Sequence, residues 1–260
     1  MYLKEWADDR YATVALPRNM DLSFTVAVFG IYREPVHRMV AAIGELRASG
    51  HKSRIYLGAM GRAAPELVDE TVAEYLSAGK FQNLNGLIAA APLHDVDWIL
   101  LIDDDVVLPG GFLDAFLAVC ERLDLGLAQP AQTRYSNANW PVTRRKLLSV
   151  ARETSFVEIG PVTAIRRDVL ELLIPFPIDL RFGWGLDFHW AAIMVNAGLR
   201  MGVVDATAVR HTDRAVASTY SWDAPQEEGR RFLATAPHLP TTVGYRTVRT
   251  HRVLRDQVRR

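Results

Sequence analysis

Cysteine is almost missing from this chain: Cys120 is the single one in 260 residues. An internal disulfide is therefore excluded, which fits a reducing compartment. An excess of charge is missing too, since 30 Lys and Arg residues balance 30 Asp and Glu residues. Whole-chain attraction to nucleic acid is excluded, and any anion site has to be local. No apolar run approaches the roughly 20 residues of a membrane-spanning helix. The N-terminal MYLKEWADDRYATVALPRNM lacks the charged-then-apolar layout of a secretory signal. Internal repeats and low-complexity tracts are lacking as well. The chain reads as soluble and cytoplasmic, with a composition of 49% hydrophobic and 23% charged residues that suits a globular domain.

What is present is alternation. Residues 22–32 (LSFTVAVFGIY) are apolar and β-branched, the pattern of a buried strand. Residues 34–50 show apolar positions at helical spacing, with Pro35 suited to the first turn and Gly50 to a position just past the last. A second strand is expected at 53–60, and a second helix at 64–79 closed by Gly79. Another helix follows at 81–93, then a strand at 97–102, a helix at 111–123 and a strand at 125–131. Cys120 falls on that last helix as a packing residue. Strand–helix alternation with short connections predicts an α/β domain with a mainly parallel central sheet flanked by helices. Ligands of such sheets bind at the carboxyl ends of the strands.

Residues 133–146 (TRYSNANWPVTRRK) break this rhythm and read as a loop or insert. Residues 155–173 read as strand, turn, strand, helix. Residues 182–200 read as a glycine-bracketed aromatic turn entering a helix, and 201–213 as a strand or strand pair ending at His211. The C-terminal YRTVRTHRVLRDQVRR carries six arginines and one aspartate. It reads as a solvated terminus, or as a basic segment making peripheral contact with an anionic membrane.

The stretch VDWILLIDDDVVLPGG carries the chemistry. Asp103, Asp104 and Asp105 end an apolar strand, where like charges repel unless a cation sits among them. Hard divalent cations take carboxylate oxygens, and Mg²⁺ is typically held by one or two carboxylates plus substrate phosphates. Further downstream stand RFGWGLDFHW and a histidine after a strand, His211 in AVRHTDR.

An apolar strand ending in Asp-x-Asp halfway through an α/β chain resembles the metal motif of GT-A fold glycosyltransferases, most nearly the family-2 type. The resemblance spans about 24–211. It implies a Rossmann-like GT-A domain with a small acceptor-side lobe: 22–131 as the nucleotide-sugar-binding half, 132–211 as the acceptor and catalytic half, and 212–260 as an extension. It implies Asp103 on the ribose side of the nucleotide, Asp105 as ligand of Mn²⁺ or Mg²⁺, and Asp104 in either role. His211 is implied as a second metal ligand, with His189 as a competitor on another helix face. Gly183-Trp184-Gly185-Leu186-Asp187 is similar to the family's Trp-Gly-x-Glu/Asp segment. That similarity implies Asp187 as general base and Trp184 beside the substrates; many relatives show a Glu-Asp pair there. Lys80 and Asn83 are implied as nucleotide contacts. So is the end of the first strand, with Phe29, Gly30, Tyr32 and Glu34, although FGIYRE lacks the family's Pro-x-Tyr/Phe-Asn. Glu158 either touches donor or acceptor or pairs with an arginine across strands. Gly160 and Pro161 permit close backbone approach.

The implied activity is inverting transfer of a sugar from a nucleotide-diphosphate donor to an acceptor hydroxyl on a glycan, lipid-linked glycan, small molecule or protein. Two other readings use the same residues. A haloacid-dehalogenase-type phosphatase also has a strand ending in Asp-x-Asp, with the first aspartate as nucleophile, but that motif normally opens its chain. A non-catalytic binder of sugar nucleotides or glycans differs only in lacking turnover.

Overall fold

The alternation in the first half of the sequence becomes a mixed sheet buried on both faces. The computed structural model of the protein describes residues 23–211 and 223–254. The core begins with β1 (Thr25–Tyr32), α1 (His37–Arg47) and β2 (Lys52–Ala59), followed by a short β3 (Thr71–Ala73) and α2 (Lys80–Ala90). Next come β4 (Trp98–Asp103), β5 (Val106–Val107), α3 (Phe112–Leu123) and β6 (Leu125–Gln132). The second half supplies β7 (Ala151–Thr154), β8 (Val162–Arg166), α4 (Arg167–Leu173), α5 (Leu186–Asn196) and β9 (Arg200–His211). Beyond the break lie α6 (Asp223–Leu233) and β10 (Thr247–His251).

The sheet order is β10-β7-β9-β6-β8-β4-β1-β2-β3, with β5 paired to β9 off this path. β1 pairs in parallel with β2 and β4, and β6 with β9. β8 runs against both β4 and β6, and β7 runs against β9 and β10. Along this path only β7 and β8 oppose the common direction, so the sheet is mainly parallel. One continuous sheet therefore joins strands from both halves of the chain. The fold class expected from the sequence is the one observed.

Side-chain alternation along the central strands sorts the core into two layers. Val26, Val28, Trp98 and Leu100 pack with Met39, Leu46, Phe112 and Phe116 beneath α1 and α3. Ala27, Phe29, Ile99 and Leu101 pack with Phe81, Leu84 and Trp190 beneath α2 and α5. Strands covered on both faces read as unbroken apolar runs, as WILLI does. Each large side chain fully buried here contributes about 1.5–3 kcal/mol relative to exposure. Cys120 is fully buried in the first layer, as a packing residue.

Four expectations need correction. Residues 64–79 are not a helix: Pro65–Leu67 form one 3₁₀ turn and residues 71–73 become β3. The open edge of β2 competes for this backbone, with Leu57 N–H donating to Glu70 O at 2.8 Å, while Glu70 pairs with Arg47. Gly79 accordingly opens α2 instead of closing a helix before it, and its N–H donates to Gln82 Oε1 at 3.0 Å. Pro35 precedes the cap residue Val36 and lies outside α1. The strand expected at the start of 155–173 lies earlier, at β7, and residues 155–161 form a connecting loop. Part of the basic C-terminal stretch, read as a loose tail, pairs as β10 with β7; residues 255–260 lie outside the described part.

A buried ion pair fixes the polar insert at 133–146 against this sheet. Arg152 and Asp205 are both almost fully buried, and the guanidinium donates to both Asp205 oxygens at 2.8 Å. Arg152 also donates to Val142 O and Arg144 O, while Asp205 accepts from Lys146 N–H. Removing one partner of such a pair typically costs about 3–5 kcal/mol. Among the described residues no helix is long and apolar enough to cross a membrane.

Candidate active site

The carboxyl ends of β1, β4 and β9 open into a cavity of about 850 Å³. Asp103, Asp104, Asp105, Lys80, Asn83, Trp184, Asp187 and His211 all line it. Residues separated by more than 130 positions in the sequence are thus brought to one wall, at the place where sheets of this kind bind ligands.

At one end carboxylates and cations interlock. Lys80, in the first turn of α2, donates from Nζ to Asp103 Oδ1 at 2.5 Å. Burial works against the Lys80 charge, but Asp103 first, then Asp105 and Asp104, outweigh it and hold the ammonium above its ordinary range. Asp104 accepts a hydrogen bond from Arg33 N–H at 3.1 Å, which ties the loop after β1 to the acidic turn. Asp105 Oδ1 lies 3.0 Å from His211 Nε2, because β5, following the aspartates, pairs with β9 in register Val106–His211. Burial works against charge on His211 as well. The Asp105 hydrogen bond and the nearby Asp103 prevail, and its pKa is raised. Gly160 has φ +129, and a Cβ there would sit 3.1 Å from Asp103 Oδ2 and 3.5 Å from Lys80 Nζ. Glycine lets the 160–161 backbone lie against this pair, and Asp103 N–H donates to Pro161 O at 2.8 Å.

The other end has carboxylates without facing cations in contact. Asp187 stands in the first turn of α5, after a cap at Gly185 with φ +90. Its Oδ1 accepts from Ile159 N–H at 2.8 Å. Burial raises its pKa to about 7, against smaller opposing effects of that hydrogen bond and of the Lys80 charge. Glu158 accepts from Gln132 Nε2 at 3.1 Å and Asn139 Nδ2 at 2.9 Å, so of the two expectations the arginine pair is not formed. Burial, then the charge of Asp187, pushes its pKa to about 8. Two carboxyl groups tuned toward neutrality in one cavity are a physical signature of proton-transfer sites.

Some expected residues go elsewhere. Gly30 does not line the cavity. A Cβ there would meet Ile102 O at 3.0 Å and Met39 at 3.1 Å, so it is a packing glycine between β1, β4 and α1. Tyr32 is buried on the same side, its hydroxyl 2.7 Å from Thr71 Oγ1, and Glu34 is exposed. The cavity instead takes Phe29, Ile31 and Arg33, the opposite parity of the strand. His189 turns away, its Nδ1 2.7 Å from Pro237 O and its ring edge-on to Phe232. Asn83 lines the wall and donates to Ala78 O at 2.9 Å. Arg33, Gln132 and Asn139 had no distinguishing sequence signal.

Asp105 and His211 supply one carboxylate and one imidazole that already face each other, and His211 Nδ1 is buried with no hydrogen-bond partner. Among the described residues no group of three or more His, Cys, Asp or Glu side chains is arranged to enclose a metal. Two protein ligands with remaining positions open suit an ion that shares its shell with phosphate and water, and mixed oxygen and nitrogen ligation suits Mn²⁺.

No protein-family model matches the sequence, and no curated protein matches it. Solved structures do. GalNAc-T7, crystallised with UDP, GalNAc and Mn²⁺, aligns with TM-score 0.59 at 12% identity over 83% of this chain and 48% of its own. The mannosyltransferase PcManGT of Pyrobaculum calidifontis, in complex with GDP-Man and Mn²⁺, aligns with TM-score 0.53 at 15% identity, covering 93% of this chain and 74% of its own. Residues 1–349 of S. aureus TarS align with TM-score 0.54 at 11% identity over 72% and 60%. The chain thus spans about half the length of the first of these structures. The fold they share with it is the GT-A type.

Proposed function

We propose that the protein is a metal-dependent glycosyltransferase that moves a sugar from a nucleotide-diphosphate donor to an acceptor hydroxyl with inversion. The observation that carries this reading is the meeting, in one cavity, of a cation-laced aspartate cluster and a buried Asp187 whose pKa is raised to about 7. The GT-A fold and the nucleotides and Mn²⁺ named for two similar structures support it.

Asp105 and His211 would hold the divalent ion. Bound there, the ion supplies positive charge to the departing diphosphate. Lys80 adds a second cation to the phosphates, in a site where charge interactions are little screened. Asp103, next to Lys80 and Gly160, orients the nucleoside. Asp187 takes the proton from the acceptor hydroxyl as its oxygen attacks the anomeric carbon from the face opposite the diphosphate. A carboxylate whose pKa lies near working pH combines sufficient ionisation with sufficient basicity. Trp184 offers an aromatic wall beside that position. Glu158, largely protonated at neutral pH, can donate a hydrogen bond to a substrate oxygen.

Incubation with a panel of UDP- and GDP-sugars and Mn²⁺, read by nucleotide release, tests the reading. Release with at least one donor, abolished by chelation and by Asp187→Asn, is expected. Metal-independent phosphate release from p-nitrophenyl phosphate, lost in Asp103→Asn, would instead establish the phosphatase reading.

A further inference from the structure

The turn that delivers Asp187 is held from outside the cavity. Residues 181–183 present three consecutive backbone N–H groups to a single carboxylate, that of Glu228 in α6. Arg181 N–H donates to Oε2 at 2.7 Å, and Phe182 and Gly183 N–H donate to Oε1 at 2.9 and 2.8 Å. Successive backbone amides in such a concave turn form an anion-binding nest, here filled by the chain's own acid. Hydrogen bonds to a charged acceptor are the stronger kind.

The neighbours of Glu228 extend the grip. A Cβ on Gly229 would lie 3.0 Å from both Trp184 Cβ and Trp184 O, so α6 sits directly on the Trp184 backbone. Leu233 reaches Gly185: a Cβ there would meet its Cγ at 2.8 Å. On the cavity side Gly183, with φ +80, is pressed onto the Phe81 ring, where a Cβ would fall 1.8 Å from a ring carbon. The turn is therefore clamped between α2 and α6. Its two glycines adopt left-handed conformations that cost little for glycine and would strain other residues. Inside the turn Leu186 N–H donates to Gly183 O at 3.2 Å, and among the described residues the Glu228 carboxylate bonds three of its amides.

We infer that Glu228 is a positioning residue, acting through the 181–185 turn to set Trp184 and Asp187 against the acceptor. It touches no reacting atom. The inference rests on the glycosyltransferase reading only for its catalytic half; the clamping of the turn stands on geometry alone.

The full chain, wild type and with Glu228→Ala or Glu228→Gln, tests it on two arms. Gln retains a carbonyl for Phe182 and Gly183 but places an amide group opposite Arg181 N–H. In the turnover arm, Glu228→Ala should lower kcat for nucleotide release on the order of 10–100-fold, as small misplacements of catalytic groups do. Affinity for Mn²⁺ with nucleotide should stay within about threefold because Glu228 does not line the cavity, and Glu228→Gln should recover most of the rate because two of its three hydrogen bonds survive. In the exchange arm, amides of 181–185 should exchange at least about tenfold faster in Glu228→Ala, with β4 protection unchanged. Unaltered turn exchange overturns the inference outright. So does a loss of nucleotide binding parallel to the loss of rate, which would mark a general folding defect. Wild-type protein that turns over no donor would defeat the glycosyltransferase reading, and the exchange arm would still decide whether Glu228 holds the turn.

Discussion

The two ends of the cavity hold carboxylates of opposite character. Asp103, Asp104 and Asp105 stand among cations and backbone donors: Lys80 bonds Asp103, Arg33 N–H bonds Asp104, and His211 faces Asp105. Asp187 and Glu158 have one amide N–H and two side-chain amides instead, and both titrate near neutrality, at about 7 and about 8. The same functional group is thus tuned by its neighbours for two tasks. Where countercharge and backbone donors surround it, it has the partners that the proposed metal and diphosphate site calls for. Where burial outweighs the more distant cations and none is in contact, the carboxyl pKa rises toward neutrality.

Disturbing the uncompensated end should have the largest effect. Asp187→Asn preserves shape and the acceptor for Ile159 N–H but removes the proposed base. Nucleotide release should fall about 10²–10⁴-fold, with calorimetric nucleotide affinity unchanged; loss of affinity as well would erase the division between the two ends. Lys80→Met probes the compensated end. It should weaken nucleotide binding by about 10–100-fold, the scale of a lost hydrogen bond to a charged group, measured by titration with UDP and GDP in Mn²⁺.

A pH profile sharpens the contrast. Since the Asp187 pKa is raised to about 7, the proton occupies the base below that pH. At saturating metal, kcat/KM should climb about tenfold per unit as pH rises toward 7, and should fall again above about 8 as Glu158 loses its proton. The smallest effect is on stability. A carboxyl whose folded pKa is raised binds its proton more tightly in the folded chain, so its contribution is present at low pH and is lost as pH rises through about 7. Asp187→Asn should therefore be about 1–2 kcal/mol more stable than wild type at pH 8, below the full value of the shift because the cavity still admits water. The advantage should vanish near pH 4, as denaturant titration at both pH values would show.

The sequence carries the compensated end more openly than the other. Three aspartates closing WILLI form a local pattern, and His211 ends an apolar strand; their meeting needs only that β5 pair with β9. Asp187 stands out through the glycines around Trp184. Glu228 does not, because its partners are backbone amides about 45 positions earlier and nothing in QEEGRR distinguishes it from a surface acid. The parity of β1 is equally hidden: an all-apolar strand does not say which face meets the cavity, so Gly30 was expected where Ile31 and Arg33 stand. β3, β7 and β10 escape for a related reason. Strands of three to five residues at or near a sheet edge are selected by the neighbour that needs a partner, not by their own periodicity.

The most direct measurement is a calorimetric titration of UDP and GDP into wild type and Asp105→Ala, each with and without Mn²⁺. Wild type is expected to bind nucleotide in a manner that depends on Mn²⁺, with that dependence lost in Asp105→Ala and retained in Asp187→Asn. Binding of equal strength in wild type and Asp105→Ala, with or without the metal, would contradict this.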